Sequence, residues 1–178
     1  MRALLLAAMI LVSPDQQDWM MDTLPAQHWL GLFDDKLQPV RVRMKDRGRI
    51  SVDPPKPELI LRDIPGVTAG PVKAAEYDEE RRVITFDGQR YQLVVRADHG
   101  AELRHGSRVQ LLFPKTEFVD EPHYEIVWAG DLDRDGKLDL ITVLSQKYSY
   151  YPYEVWLSSK ATGSEMVHRV AKYEHYSC

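Results

Sequence analysis

Apolar and polar residues alternate with a period of two along most of this chain, in short runs broken by Gly, Pro, Ser and Asp. That period sets successive side chains on opposite faces of a strand. The clearest case is residues 82–95, where Asp87-Gly88 separates two alternating arms. Asp-Gly fits a two-residue type I′ turn, which predicts a hairpin with Ile84, Phe86, Tyr91, Leu93 and Val95 on one core-facing side. Residues 28–33 and 36–44 read as a second hairpin around Asp34-Asp35, with Val40 and Val42 on one face and Pro39 marking an edge or a weak point. Further strands are predicted over residues 58–62, 107–113, 123–129, 138–144, 154–158 and 166–173, with a turn at Ile64-Pro65-Gly66. A short helix before Pro25 is the main exception. The pattern predicts a mainly β fold: one compact antiparallel β-sandwich or irregular barrel.

One inter-strand stretch has a different character. Asp131-Leu132-Asp133-Arg134-Asp135-Gly136-Lys137-Leu138-Asp139 brings carboxylates to alternate positions and then to the end of a single loop. Ca²⁺ takes roughly six to eight oxygens, and alternate carboxylates turn toward one centre when a glycine lets the loop fold back. The expected ligands are Asp131, Asp133, Asp135 and Asp139, with Lys137 through its carbonyl and water completing the shell. The loop holds no Cys or His, which disfavours zinc, and Mg²⁺ prefers a tighter octahedron that keeps its waters. The loop is not an EF-hand, because Thr142 stands where a bidentate Glu is expected and the flanks read as strands.

With those flanks, the run AGDLDRDGKLDLITV resembles the strand-loop-strand calcium element of FG-GAP or VCBS-type repeats, found in integrin α-chain propellers and in many secreted bacterial proteins. The resemblance covers about residues 123–158. It implies calcium held by Asp131, Asp133, Asp135 and Asp139, with Lys137 contributing its backbone. The Phe-Gly and Gly-Ala-Pro segments of the repeat are absent, and a single loop in 178 residues is too little for a closed propeller. The resemblance therefore describes an element and not the whole fold.

Composition adds compartment and excludes some partners. The chain is 44% hydrophobic and 28% charged, with a formal net charge of −4, which gives it no electrostatic reason to seek nucleic acid or anionic lipid. Its length predicts one domain. The opening Met1-Arg2-Ala3-Leu4-Leu5-Leu6 continues apolar to Val12, too short to span a bilayer and suited to a signal-peptide core. Residues 1–13 are expected to be a leader and 14–178 the β-domain, periplasmic or secreted, with no membrane span once the leader is removed. Cys178 is the only cysteine, so an intrachain disulfide is excluded.

Tyr148, Tyr150, Tyr151 and Tyr153 crowd around Pro152. Tyrosine offers amphipathic contact area at low entropic cost, so these four are candidate partner-binding residues. The alternating cations Arg41, Arg43, Lys45, Arg47 and Arg49 read as a solvated strand face. His99, His105 and His123 would form a site only if the fold gathers them. The chain has no G-x-S-x-G, H-E-x-x-H, Walker or G-x-G-x-x-G motif. The expectation is a monomeric, non-catalytic binding module with structural Ca²⁺ and a protein or carbohydrate partner. The alternatives are an inhibitor or immunity-type protein against a secreted enzyme, and a hydrolase whose residues only the fold assembles.

Overall fold

The computed structural model describes residues 9–12, 28–44, 50–114 and 119–176. These residues form antiparallel strands with one 3₁₀ turn, Ser158–Lys160, and no α-helix. No helix among them is long and apolar enough to cross a membrane. The expected helix before Pro25 and the cations at 45–49 lie outside the described residues. The chain divides into two compact units, Met1–Val72 and Lys73–Cys178.

The first unit is a sheet of β1 (Met9–Val12), β2 (Trp29–Phe33), β3 (Lys36–Met44), β4 (Ile50–Asp53) and β5 (Leu59–Arg62) in the order β1-β5-β2-β3-β4, with β6 (Gly70–Pro71) pairing to β3. All four residues of β5 are buried, so Leu59-Ile60-Leu61 reads as a continuous apolar run and not an alternating one, with Arg62 buried at its end. Its partner β1 falls within the apolar N-terminal run, with Met9 opposite Arg62 and Val12 opposite Leu59. Pro39 is tolerated inside β3 for a local reason. Its inner side faces Leu30, while on the other side β6 pairs only Lys36 and Leu37 and β4 only residues 41–44. The missing N–H therefore falls in a gap between partners.

The second unit is the sandwich the alternation predicts. One sheet holds β8 (Glu76–Asp78), β9 (Val83–Phe86), β10 (Gln89–Val95), β11 (Ala101–His105) and β12 (Arg108–Phe113), ordered β12-β11-β10-β9-β8. The other holds β7 (Lys73–Ala74), β13 (His123–Asp131), β14 (Asp139–Ser145), β15 (Tyr150–Leu157) and β16 (His168–Tyr176), ordered β16-β15-β14-β13-β7. Ile84, Phe86, Leu93 and Leu103 from the first sheet share one core with Ile126, Leu140, Leu144 and Trp156 from the second. Burying each such side chain is worth about 1.5–3 kcal/mol relative to leaving it in water. Asp87 and Gly88 both have positive φ, 47° and 71°, as a type I′ turn requires.

Met166 and Val167, expected to open the last strand, enter the core as irregular chain before β16 begins. Gln110 satisfies that segment's backbone. Its Nε2 donates to the Val167 carbonyl at 2.7 Å, and its Oε1 accepts the Met166 and Val167 N–H groups at 2.6 and 3.1 Å.

Candidate metal centre

Two strands place the acidic loop. Asp131 ends β13 and Asp139 begins β14, and the ladder brings Gly130 opposite Asp139. Gly130 is needed for a close approach: a Cβ there would lie 2.3 Å from the Lys73 carbonyl oxygen and 2.9 Å from the Ala74 Cα, because β7 crosses against it. Within the loop, Arg134 and Gly136 adopt φ of 65° and 82°, which folds the chain back on itself. Leu132 and Leu138 are buried and anchor the loop from below.

Backbone amides organise the carboxylates. Asp131 accepts the N–H groups of Asp135 and Gly136 at 3.0 and 2.9 Å. Asp139 Oδ2 accepts those of Leu132 and Asp133 at 2.8 and 3.3 Å. Oxygens of Asp131, Asp133 and Asp139 all approach within 4.8 Å of one another, the one cluster of three or more metal-ligating side chains among the described residues. Asp135 turns aside: the Ser158 hydroxyl lies 3.1 Å from each of its carboxylate oxygens, and Lys137 Nζ is 3.8 Å from its Oδ2. Lys137 donates its N–H to Asp135 Oδ1 at 2.9 Å.

The second wall of the site comes from the far end of β15. Ser158 gives its N–H to Asp139 Oδ1 at 2.8 Å and its hydroxyl to the same oxygen at 3.1 Å, while the Ser159 hydroxyl donates to Asp133 Oδ2. Neither serine stands out in the sequence, because the contacts span 19 and 26 residues and serine is common in turns.

Two observations test the fit to a hard cation. Asp133 Oδ1 is buried and has no hydrogen-bond partner, although a buried carboxylate oxygen ordinarily finds a donor. Asp139 is fully buried, and that burial pushes its carboxyl up to about 7; the Ser158 N–H opposes the shift and the nearby Asp133 charge adds to it. Carboxylates held this close repel unless a cation or a proton intervenes. The donors are all oxygen, which suits Ca²⁺ and not zinc.

The tyrosines separate. Tyr148 is 55% exposed and Tyr153 only 7%, with burial raising the Tyr153 phenol to about 12. Tyr150 and Tyr151 are intermediate and face opposite sides of the sheet, as neighbours in a strand must. The Tyr151 ring meets His123 at 5.7 Å, and Tyr150 meets Tyr176 at 4.9 Å. The histidines make separate contacts: His105 lies 3.0 Å from the Arg90 carbonyl and stacks on Tyr91, while His123 pairs with Glu125 at 2.8 Å. Comparison with protein-family models, characterised proteins and solved structures finds no match to this chain.

Proposed function

We propose that this protein is an exported, non-catalytic binding module whose β-sandwich carries a structural Ca²⁺ in the loop 131–139. The observation that carries the reading is Asp133 Oδ1, a buried anionic oxygen without a donor beside the carboxylates of Asp131 and Asp139. A divalent cation there would satisfy that oxygen and remove the repulsion among the three aspartates. Asp131, Asp133 and Asp139 would hold the ion, and Asp135 and the Lys137 carbonyl would join it after a local turn of the loop. The ion would neutralise the cluster and pin β13, β14 and the Ser158–Lys160 turn together. Exported modules commonly use sites with Kd on the order of 10⁻⁴–10⁻³ M, because external calcium is plentiful.

The binding surface in this reading is the tyrosine-bearing end of β15, where Tyr150 and Tyr151 present opposite faces, Tyr153 lies buried on the Tyr151 side and Tyr148 is exposed just before the strand. Export rests on the apolar run through Val12 read as a leader, and its cleavage would remove β1 from the edge of the first unit's sheet. The direct experiment is calorimetric titration of EDTA-stripped protein with CaCl₂. Saturable binding at one ion per chain, lost in Asp133→Asn and not reproduced by MgCl₂, supports the reading. No heat, or equal heat in the variant, removes the ion from it.

A further inference from the structure

The face of the second unit's β13–β16 sheet that carries Leu140 and Trp156 into the core continues along β15 through Glu154 and Pro152 to Tyr150, because alternate residues share a face. Across the ladder, Lys172, Glu174 and Tyr176 stand opposite Glu154, Pro152 and Tyr150 and so lie on the same face. Near Trp156 that face is core. At its other end it reaches solvent, with Tyr176 66% exposed, the most exposed of the large hydrophobic side chains among the described residues.

The exposed end is organised. The Tyr150 and Tyr176 rings lie 4.9 Å apart at 32°. Lys172 Nζ sits 5.6 Å from the Tyr150 ring centroid and 2.7 Å from Glu174 Oε1, and the same carboxylate oxygen accepts the Tyr150 hydroxyl. Tyr150 is therefore held at both its face and its tip. Little side-chain freedom remains for a ligand to freeze, which is the condition for a preorganised platform.

We propose that Tyr150 and Tyr176 form a docking platform for a neutral sugar ring of a glycan. A pyranose presents a flat face of C–H groups and a rim of hydroxyls. The C–H face matches the negative face of an aromatic ring, and the rim needs an acceptor and a donor at the ring's edge. Glu174 supplies the acceptor and Lys172 the donor. Their mutual ion pair leaves the platform with no net charge, which disfavours a phosphate backbone, an anionic lipid or a strongly charged peptide. The platform is an open sheet surface at an edge strand, so it suits one ring of an extended chain better than a small molecule that must be enclosed. This inference rests on the reading of the protein as a binding module and is independent of the ion.

The test uses the full chain, titrated with cellohexaose, mannohexaose, chitohexaose and maltohexaose, in calcium and again in EDTA. At least one saccharide is expected to bind, and Tyr176→Ala is expected to weaken it roughly tenfold or more. The melting temperature should be unchanged, because Tyr176 is exposed. Lys172→Met should weaken binding less, through loss of a rim donor. No binding by any of the four at millimolar concentration, or undiminished binding in Tyr176→Ala, overturns the proposal. So does retention of a protein partner that Tyr176→Ala abolishes while no saccharide binds. Saccharide binding with no calcium effect on stability would remove the ion and keep the platform. A calcium effect without saccharide binding would do the reverse.

Discussion

Ser158 and Asp139, 19 residues apart, are joined twice at one oxygen: the Ser158 N–H and hydroxyl both reach Asp139 Oδ1, at 2.8 and 3.1 Å. This contact closes the acidic loop against the far end of β15. Asp139 is fully buried, so its carboxylate depends on those donors and on whatever else neutralises it. Ser158→Ala should cost about 2 kcal/mol, the scale for a hydrogen bond to a charged group. Urea unfolding in EDTA reads the loss. A change below about 0.5 kcal/mol would mean that the turn only borders the loop.

Gly130 bears on the same site from the other side. A methyl group there would press 2.3 Å from the Lys73 carbonyl oxygen, a backbone atom that cannot rotate away. Gly130→Ala should therefore destabilise the second unit by about 3 kcal/mol or more, through overpacking and displacement of β7. Thermal unfolding against wild type measures it, and a variant of wild-type stability would contradict the close approach.

His123 provides the pH prediction. Its hydrogen bond to Glu125 raises its pKa above the usual 6.5, against an opposing effect of burial. A raised folded-state value means that the imidazolium stabilises the fold. The contribution is complete below 6.5 and is lost as pH rises through the folded-state value. Both side chains are more than 40% exposed, so the energetic effect is small. An NMR titration should place His123 above 6.5 and Glu125→Gln should return it toward 6.5. An unchanged midpoint in the variant would show that the pair does not set it.

The sequence was most informative where structure depends on close neighbours. Asp87-Gly88 names its own turn, and Ile84, Phe86 and Leu93 lie in the core where their alternation puts them. The acidic loop was legible for the same reason, since Asp131, Asp133 and Asp139 are close in the chain as well as in space. Ser158 and Ser159 were not, because only the β14–β15 pairing carries them back to the loop. The strand β11 is not among those the alternation predicts. Its Glu102 and Arg104 look like loop residues until Glu102 is seen between Arg96 and Arg104, at 3.0 and 2.9 Å. Tyr176 lies beyond the strand expected over 166–173, and only the β15–β16 ladder sets it opposite Tyr150.

In the function proposed above, the loop 131–139 holds Ca²⁺ and the ion stabilises the fold. The most direct measurement is a thermal melt of the protein in EDTA against a calcium titration, with magnesium as control and Asp133→Asn beside wild type. A ligand that binds only the folded state stabilises it by RT ln(1 + [Ca²⁺]/Kd), about 2.7 kcal/mol at a hundredfold excess over Kd. Wild type is expected to show a calcium-selective rise in Tm and Asp133→Asn little or no rise, with nearly equal melting of the two proteins in EDTA. An unchanged wild-type Tm at millimolar calcium, or the same rise in Asp133→Asn, would contradict that function.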